Sequence, residues 1–314
     1  MKEIGGYLGL EQMGNHSYYP NLLALNTGRN ALAYLIKARA IRKLYIPYFL
    51  CDSVSSVCQR EGCRIGYYPI GADFLPILPE EPEADSWIYV VNYYGQISNT
   101  QLMQWKLQWK NIIFDNVQAF FQKPVSGVDT IYSCRKFFGV PDGAYLATDA
   151  QAIALEDDSS RERMKHILGR FETGCASAFY ADFKENDRSF QDLPLRRMSP
   201  LTRNLLAGLD YDAIREKRNA NWALLHSALS SHNQLTLIAT DGPYCYPFYC
   251  ENGMEVKRRL AEMKIYVPTL WPNVYQMGEG LEKDYAQNIL PLPCDQRYDG
   301  QDMARIADAL LLMM

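Results

Sequence analysis

The sequence predicts an α/β fold: a large domain over residues 1–207 with a mainly parallel sheet flanked by helices, then a smaller C-terminal α+β domain over residues 208–314. Three observations predict it. Along the first half, short apolar runs alternate with amphipathic helical patterns, the order that a parallel sheet with helical crossovers requires. One of these runs, Trp87 to Tyr94, is apolar almost without interruption, as in a strand covered on both faces. From Ser199 onward the pattern changes to long helices with short β-like pieces between them.

Length and composition set the outer bounds. A chain of 314 residues can bury a sizeable core, and 22% charged with 48% hydrophobic residues is the balance of an ordinary globular protein. A formal net charge of -4 gives no basis for a nucleic-acid partner or an anionic membrane surface. Met1 to Pro20 lacks the positive start and apolar centre of a secretory leader, and no apolar run approaches the ~20 residues that span a bilayer, so a cytoplasmic location is expected. The eight cysteines, at 51, 58, 63, 134, 175, 245, 250 and 294, form no paired C-x-x-C units and read as free thiols. The four histidines show no metal spacing either, so no metal site is expected. Neither G-x-G-x-x-G nor a P-loop is present.

Taken in order, Asn26 or Thr27 caps a first helix whose Leu32, Leu35 and Ile36 share a face. Its N-terminus, with Gly28 permitting close backbone approach, is the candidate phosphate site, because free N–H groups and the positive dipole end converge there. Lys43 to Phe49 reads as a strand, Asp52-Ser53 caps a helix ending near Gly62, and Arg64 to Ile70 is a second strand. A loop rich in proline and acidic residues covers 69–85 before the strand at Trp87, and a helix over Asn99 to Trp109 follows. Three short strands come next: Asn111 to Phe114, Asp129 to Ser133 and Gly143 to Ala147. Asp149 is expected to open a helix, Arg161 to Phe171 forms another, and the charged stretch 182–197 is expected to be a surface or interface excursion. In the C-terminal part, helices are expected at Leu201–Leu209, Asp210–Leu229, Met254–Met263 and Asp299–Leu312, with β-like pieces at Leu235–Ala239, Tyr244–Cys250 and Ile265–Pro268.

The polar residues at the strand ends carry the chemistry. Asp115, Gln118 and Lys136 stand at or just beyond the ends of two apolar strands, where open α/β sheets bind ligands. A carboxylate ending one buried strand and a lysine ending another, with a turn made by Gly139, Pro141 and Gly143, is what pyridoxal phosphate (PLP) needs. The lysine supplies an amine for a Schiff base, and the carboxylate keeps the pyridine nitrogen protonated so that the ring accepts electrons.

Several segments, in order and spacing, resemble the sugar aminotransferases of the DegT/DnrJ family within the type I PLP enzymes. Thr27-Gly28-Arg29-Asn30-Ala31-Leu32 is similar to the family's S-G-T-x-A-L, and Ile46-Pro47-Tyr48-Phe49-Leu50 to its V-P-x-x-T. Tyr93-Tyr94-Gly95-Gln96 resembles L-Y-G-Q, and Phe114-Asp115-Asn116-Val117-Gln118 resembles E-D-x-A-Q. Lys136 with Pro141-Asp142-Gly143-Ala144 is similar to the lysine motif, and Leu290-Pro291-Leu292-Pro293 before a last helix to the family's C-terminal L-P-L-x. The resemblance implies the PLP-transferase type I fold, with Lys136 carrying the cofactor, Asp115 on the pyridine nitrogen and Gln118 at the phenolic oxygen. It also implies that Gly28 and Arg29 hold the phosphate, Arg29 standing where the family has threonine, and that Tyr48 or Cys51 lies against the ring. Ile131 stands where the family has a phosphate-binding serine, with Ser133 as a substitute. Arg197 matches an arginine that reaches a neighbouring subunit, Leu195 replaces the family's asparagine, and Tyr94 falls on the substrate side.

The function implied is a PLP-dependent aminotransferase in a homodimer, taking an amino donor and a keto acceptor, the acceptor being a nucleotide-linked sugar of surface-polysaccharide assembly. Ile131 and Leu195 keep a second reading open, a degenerate non-catalytic member that binds or regulates. A third is a PLP enzyme with another outcome, such as decarboxylation or elimination.

Overall fold

The computed structural model describes residues 4–78, 82–276 and 280–314. Residues 1–3 of the expected leader-free start, and residues 79–81 of the loop expected over 69–85, lie outside the described residues. The elements follow in order as β1 (Leu23–Leu25), α1 (Gly28–Ala38), β2 (Lys43–Pro47), α2 (Asp52–Arg60), β3 (Arg64–Tyr68), β4 (Trp87–Val91), α3 (Asn99–Gln108), β5 (Ile112–Asp115), β6 (Asp129–Ser133) and β7 (Ala144–Ala147). Then come α4 (Lys165–Thr173), α5 (Tyr180–Ser189), α6 (Pro200–Ala207), α7 (Tyr211–Leu229), β8 (Tyr246–Tyr249), α8 (Gly253–Glu262), α9 (Leu281–Asn288), β9 (Ile289–Leu292) and α10 (Gly300–Leu311).

Seven strands form one sheet in the order β1-β7-β6-β5-β4-β2-β3. The five strands β3, β2, β4, β5 and β6 run parallel, whereas β7 is antiparallel to both β6 and β1. Strands β4 and β5 are buried along almost their whole length, the property that makes them read as unbroken apolar runs. Leu32, Leu35 and Ile36 of α1 bury one face in the main core, with Leu44, Val90 and Phe114 of the sheet in the same cluster. A second sheet, β8 against β9, has its own core, in which Phe248, Leu290 and Leu292 meet Leu225 and Leu229 of α7 and Ile306 and Leu310 of α10.

Three expected elements are absent, each for a backbone reason. Asp149 opens no helix: its carboxylate pairs with Arg39, and the chain beyond it runs extended until Glu156 and Asp158 exchange backbone hydrogen bonds with Arg197. Residues 235–239 form no strand, because the Ile238 amide donates to the Gln96 side chain (2.8 Å) and its carbonyl accepts from it (3.2 Å). Ile265–Pro268 buries Ile265 and Val267 in the second core without any neighbouring strand to pair with. Conversely, the charged excursion contains a helix, α5, and α9 fills a stretch with no helical expectation.

The turn from β6 to β7 sets the geometry around Lys136. Gly143 adopts φ +105°, and a Cβ there would stand 3.0 Å from Thr202 Cγ2 and 3.3 Å from Met198 Cε. Beside it the buried Asp142 carboxylate accepts from Thr202, Ser160 and Arg163, which ties the turn to α6 and to the 161–163 segment. Gly143→Ala is therefore expected to destabilise the chain by about 2–4 kcal/mol, read as a lower urea midpoint at unchanged slope.

Candidate active site

Parallel strands that end along one line leave a crevice at their carboxyl edge, and here that crevice is a cleft of about 540 Å³. Asp115 is the last residue of β5, and Lys136 lies three residues beyond the end of the adjacent strand β6. Both line the cleft, together with Gly28 and Arg29 at the start of α1, Cys51 at the start of α2, and Ser133. Thr27 caps α1, its hydroxyl accepting the Asn30 N–H at 3.1 Å, and Thr27, Gly28 and Arg29 at this helix start all border the cleft.

The Asp115 carboxylate is buried and fixed by two donors: Tyr89 Oη donates to Oδ2 at 2.7 Å and the Val117 amide donates to Oδ1 at 2.9 Å. Burial pushes its pKa above the ordinary carboxylate range, while the charge of Lys136 and the two hydrogen bonds pull the other way. Lys136 reaches into the cleft with its side chain open to the cavity, yet protein encloses that cavity on most sides. Desolvation therefore lowers its pKa below that of an ordinary lysine; Asp115 opposes this, and Arg135 and Arg29 reinforce it. Lys136 makes no hydrogen bond or ion pair among the described residues, so its amine is free to react. Its Nζ lies 5.9 Å from the ring centre of Tyr244.

The backbone carbonyl next to the lysine is clamped from the smaller sheet's side. Arg218 of α7, wholly buried, donates through Nη2 to the Phe137 carbonyl at 3.0 Å and through Nη1 to the Pro243 carbonyl at 2.8 Å. Its Nε donates to Gln296 Oε1 at 2.8 Å, and Gln296 Nε2 donates to the same Phe137 carbonyl at 2.8 Å. The guanidinium also lies 4.7 Å from the Phe137 ring centre.

Three residues expected at the site, Gln118, Tyr94 and Tyr48, do not line this cleft, and Arg197, expected to reach a neighbouring subunit, lies outside it as well. Gln118 is buried, and its Oε1 accepts the Tyr94 amide at 2.7 Å, holding Tyr94 at φ +55° in the turn after β4. Tyr94 itself packs against Phe74 and Trp271 in the core. Tyr48 stacks on Tyr67 with ring centres 5.2 Å apart, half exposed, so Cys51 rather than Tyr48 borders the cavity. Arg197 is exposed and pairs with Asp157 at 3.0 Å. Residues that sequence reasoning missed are Tyr89, Arg135, Arg170, Tyr244, Tyr266 and Arg297, all of which line the cleft. Arg135 had a signal, its place next to Lys136; the others come from elements distant in sequence.

The cleft is cationic in a chain whose net charge is -4: Arg29, Arg135, Lys136, Arg170 and Arg297 face only Asp115, Asp187 and Asp295. Among the described residues no helix is long and apolar enough to cross a membrane, and no group of three or more His, Cys, Asp or Glu is arranged to hold a metal ion.

No protein-family model matches the chain, and no curated protein is significantly similar to it in sequence. Solved structures are similar in fold. NtdA from Bacillus subtilis, crystallised with the cofactor PMP, superposes with a TM-score of 0.66 at 14% identity, over 92% of this chain and 72% of that one. A DegT DnrJ EryC1 StrS aminotransferase from Brucella abortus gives 0.63 at 16% identity, over 93% and 85%. The sugar aminotransferase CalS13 from Micromonospora echinospora gives 0.62 at 14%, over 93% and 87%. The chain has the PLP-transferase type I fold. At such low identity the likeness establishes architecture, and the chemistry has to be argued from the residues of the cleft.

Proposed function

We propose that the protein is a PLP-dependent aminotransferase that moves an amino group onto a keto carbon, that of a nucleotide-linked sugar used in surface-polysaccharide assembly. One observation carries this reading: an unpaired lysine beyond the end of β6 shares a cleft with a buried, doubly hydrogen-bonded carboxylate at the end of the neighbouring strand. The donor set suits PLP, since the cleft offers an amine, a fixed carboxylate and a cationic end over the start of α1. Structural neighbours bearing PMP or named as sugar aminotransferases support the same reading.

In this mechanism Lys136 would attach the cofactor and Asp115 would hold its ring nitrogen protonated, with Gly28, Arg29 and Ser133 toward its phosphate. When bound, PLP supplies an aldehyde that captures amines and a ring that accepts an electron pair. With its amine free, Lys136 Nζ would accept a proton from the substrate carbon and later give it back, serving in turn as base and acid. Its lowered pKa makes the free amine available nearer neutrality than in an ordinary lysine. Tyr89 and the Val117 amide keep Asp115 in place, so its charge needs no reorganisation during reaction.

Two organisational proposals accompany it. The chain divides at residues 207 and 208, supported by the separate core around β8 and β9. It works as a homodimer, with Arg197, exposed outside its own cleft, serving the partner; full activity of a monomer on dilution would sink this. A non-catalytic binding protein is the second reading, and it is favoured by Ile131, an apolar side chain lining the cleft where a hydroxyl would help hold phosphate.

The test is a visible spectrum of the purified protein after incubation with PLP and dialysis, with Lys136→Ala alongside. A retained band that moves with pH and is absent from the variant is expected, followed by conversion of the bound cofactor to its amine form on adding a donor. A well-folded protein that retains no band would leave the non-catalytic reading standing, and retention without conversion to the amine form would favour another PLP reaction.

A further inference from the structure

Arg135 and Arg29 share one buried ring. The Arg135 guanidinium carbon lies 4.4 Å from the Phe190 ring centre and that of Arg29 lies 5.8 Å from it, while Phe190 itself is 1% exposed. A fully buried ring gives both guanidinium groups a fixed seat while leaving their donor edges available for hydrogen bonds. Both side chains line the cleft next to Gly28 and the capped start of α1. Two cations at one ring repel each other, and among the described residues the only carboxylate hydrogen-bonded to either of them is Asp187 of α5, which accepts from Arg135 Nη1 at a long 3.3 Å. Arg29 has no carboxylate partner among the described residues.

We infer that Arg135 and Arg29 form a paired-guanidinium clamp for a phosphate monoester dianion, with Asp187 as the internal counter-ion that the phosphate displaces. The clamp takes the place of the hydroxyl missing at Ile131, whose apolar side chain lines the same cavity. It rests on the reading of Lys136 and Asp115 as the cofactor site, and the phosphate is that of PLP. Because Asp187 and Phe190 belong to α5 and the turn after it, phosphate binding also frees that helix from its ion pair with the lysine-bearing turn.

The experiment measures affinity of cofactor-free protein for PLP, for pyridoxal without phosphate and for inorganic phosphate, in wild type, Arg135→Ala and Asp187→Asn. Wild type is expected to prefer PLP over pyridoxal strongly, and Arg135→Ala to cut that preference by about 10–100-fold, the worth of a charge-assisted contact. Asp187→Asn is expected to act in the opposite direction, tightening both PLP and inorganic phosphate by about threefold or more, since it removes a competing negative charge. Inorganic phosphate gives the readout independent of catalysis: it should raise the melting temperature of wild type and of Asp187→Asn, and leave Arg135→Ala unmoved. A PLP-to-pyridoxal preference unchanged in Arg135→Ala, or weaker phosphate binding in Asp187→Asn, overturns the clamp. Failure of both PLP and pyridoxal to attach to Lys136 overturns the cofactor reading instead, and the phosphate melting series still decides the clamp. Should Arg135→Ala fold poorly, the direction of the Asp187→Asn effect decides alone.

Discussion

Lys136→Ala is expected to lower the rate of amine exchange by about 10⁴-fold or more, because one side chain supplies both the covalent attachment and the proton transfer, and proton transfer alone accounts for about 10²–10⁴. Lys136→Arg should lose as much, since it keeps the charge and removes the nucleophile. Single-turnover kinetics on PLP-loaded protein measure this. The pH dependence carries its own sign. Burial lowers the Lys136 pKa, so the rate at which cofactor-free protein captures PLP should rise with pH and level off below the range of an ordinary lysine. Asp115 is the first group opposing that shift, so Asp115→Asn should move the plateau to still lower pH. A plateau that moves upward in Asp115→Asn would show that the carboxylate does not support the ammonium form, and the assigned pairing would fall.

Arg218→Ala is expected to cost about 3–5 kcal/mol, among the largest effects of any single change in the chain. The side chain is wholly buried, and its three close hydrogen bonds reach the Phe137 carbonyl, the Pro243 carbonyl and Gln296. Truncation removes charged donors from carbonyls that no water can reach and leaves a void beside Phe137. Urea unfolding measures the cost. A second consequence separates positioning from mere packing. Gln296 also donates to the Phe137 carbonyl, so Gln296→Leu, a milder change, should loosen the turn bearing Lys136 and weaken PLP retention more than it lowers stability. Loss of stability with unchanged PLP retention would make the clamp purely structural.

The parallel sheet and its strand ends were legible because burial on both faces writes itself into sequence as unbroken apolar runs. Trp87 to Val91 and Ile112 to Phe114 are such runs, and Asp115 stands out because its polarity ends the second of them. The cap at Thr27 was legible for a similar reason, since its hydroxyl satisfies an amide three residues away. The cap expected at Asp52-Ser53 was not found: Cys51 stands at the N-cap of α2 and makes no side-chain cap hydrogen bond. The segments at 235–239 and 265–268 misled because β-like composition supplies no neighbour in register: the first is largely exposed, with Ile238 bonded to Gln96, and the second buries Ile265 and Val267 with no strand beside it.

By itself, then, the sequence determined the α/β architecture, the succession of the large sheet's strands along the chain, and a carboxylate and a lysine at the ends of two of them. Those depend on local periodicity and on contacts within a few residues; the pairing that makes those two strands neighbours came from the sheet. Tertiary structure alone decided which side chains border the cleft. It turned Gln118 inward to the Tyr94 amide and set Tyr48 on Tyr67. It also brought Arg218 and Gln296 onto the carbonyl beside Lys136 from 81 and 159 residues away. Such contacts arise from close packing between elements, where one buried donor takes whichever acceptor the fold presents, and no local pattern encodes that choice.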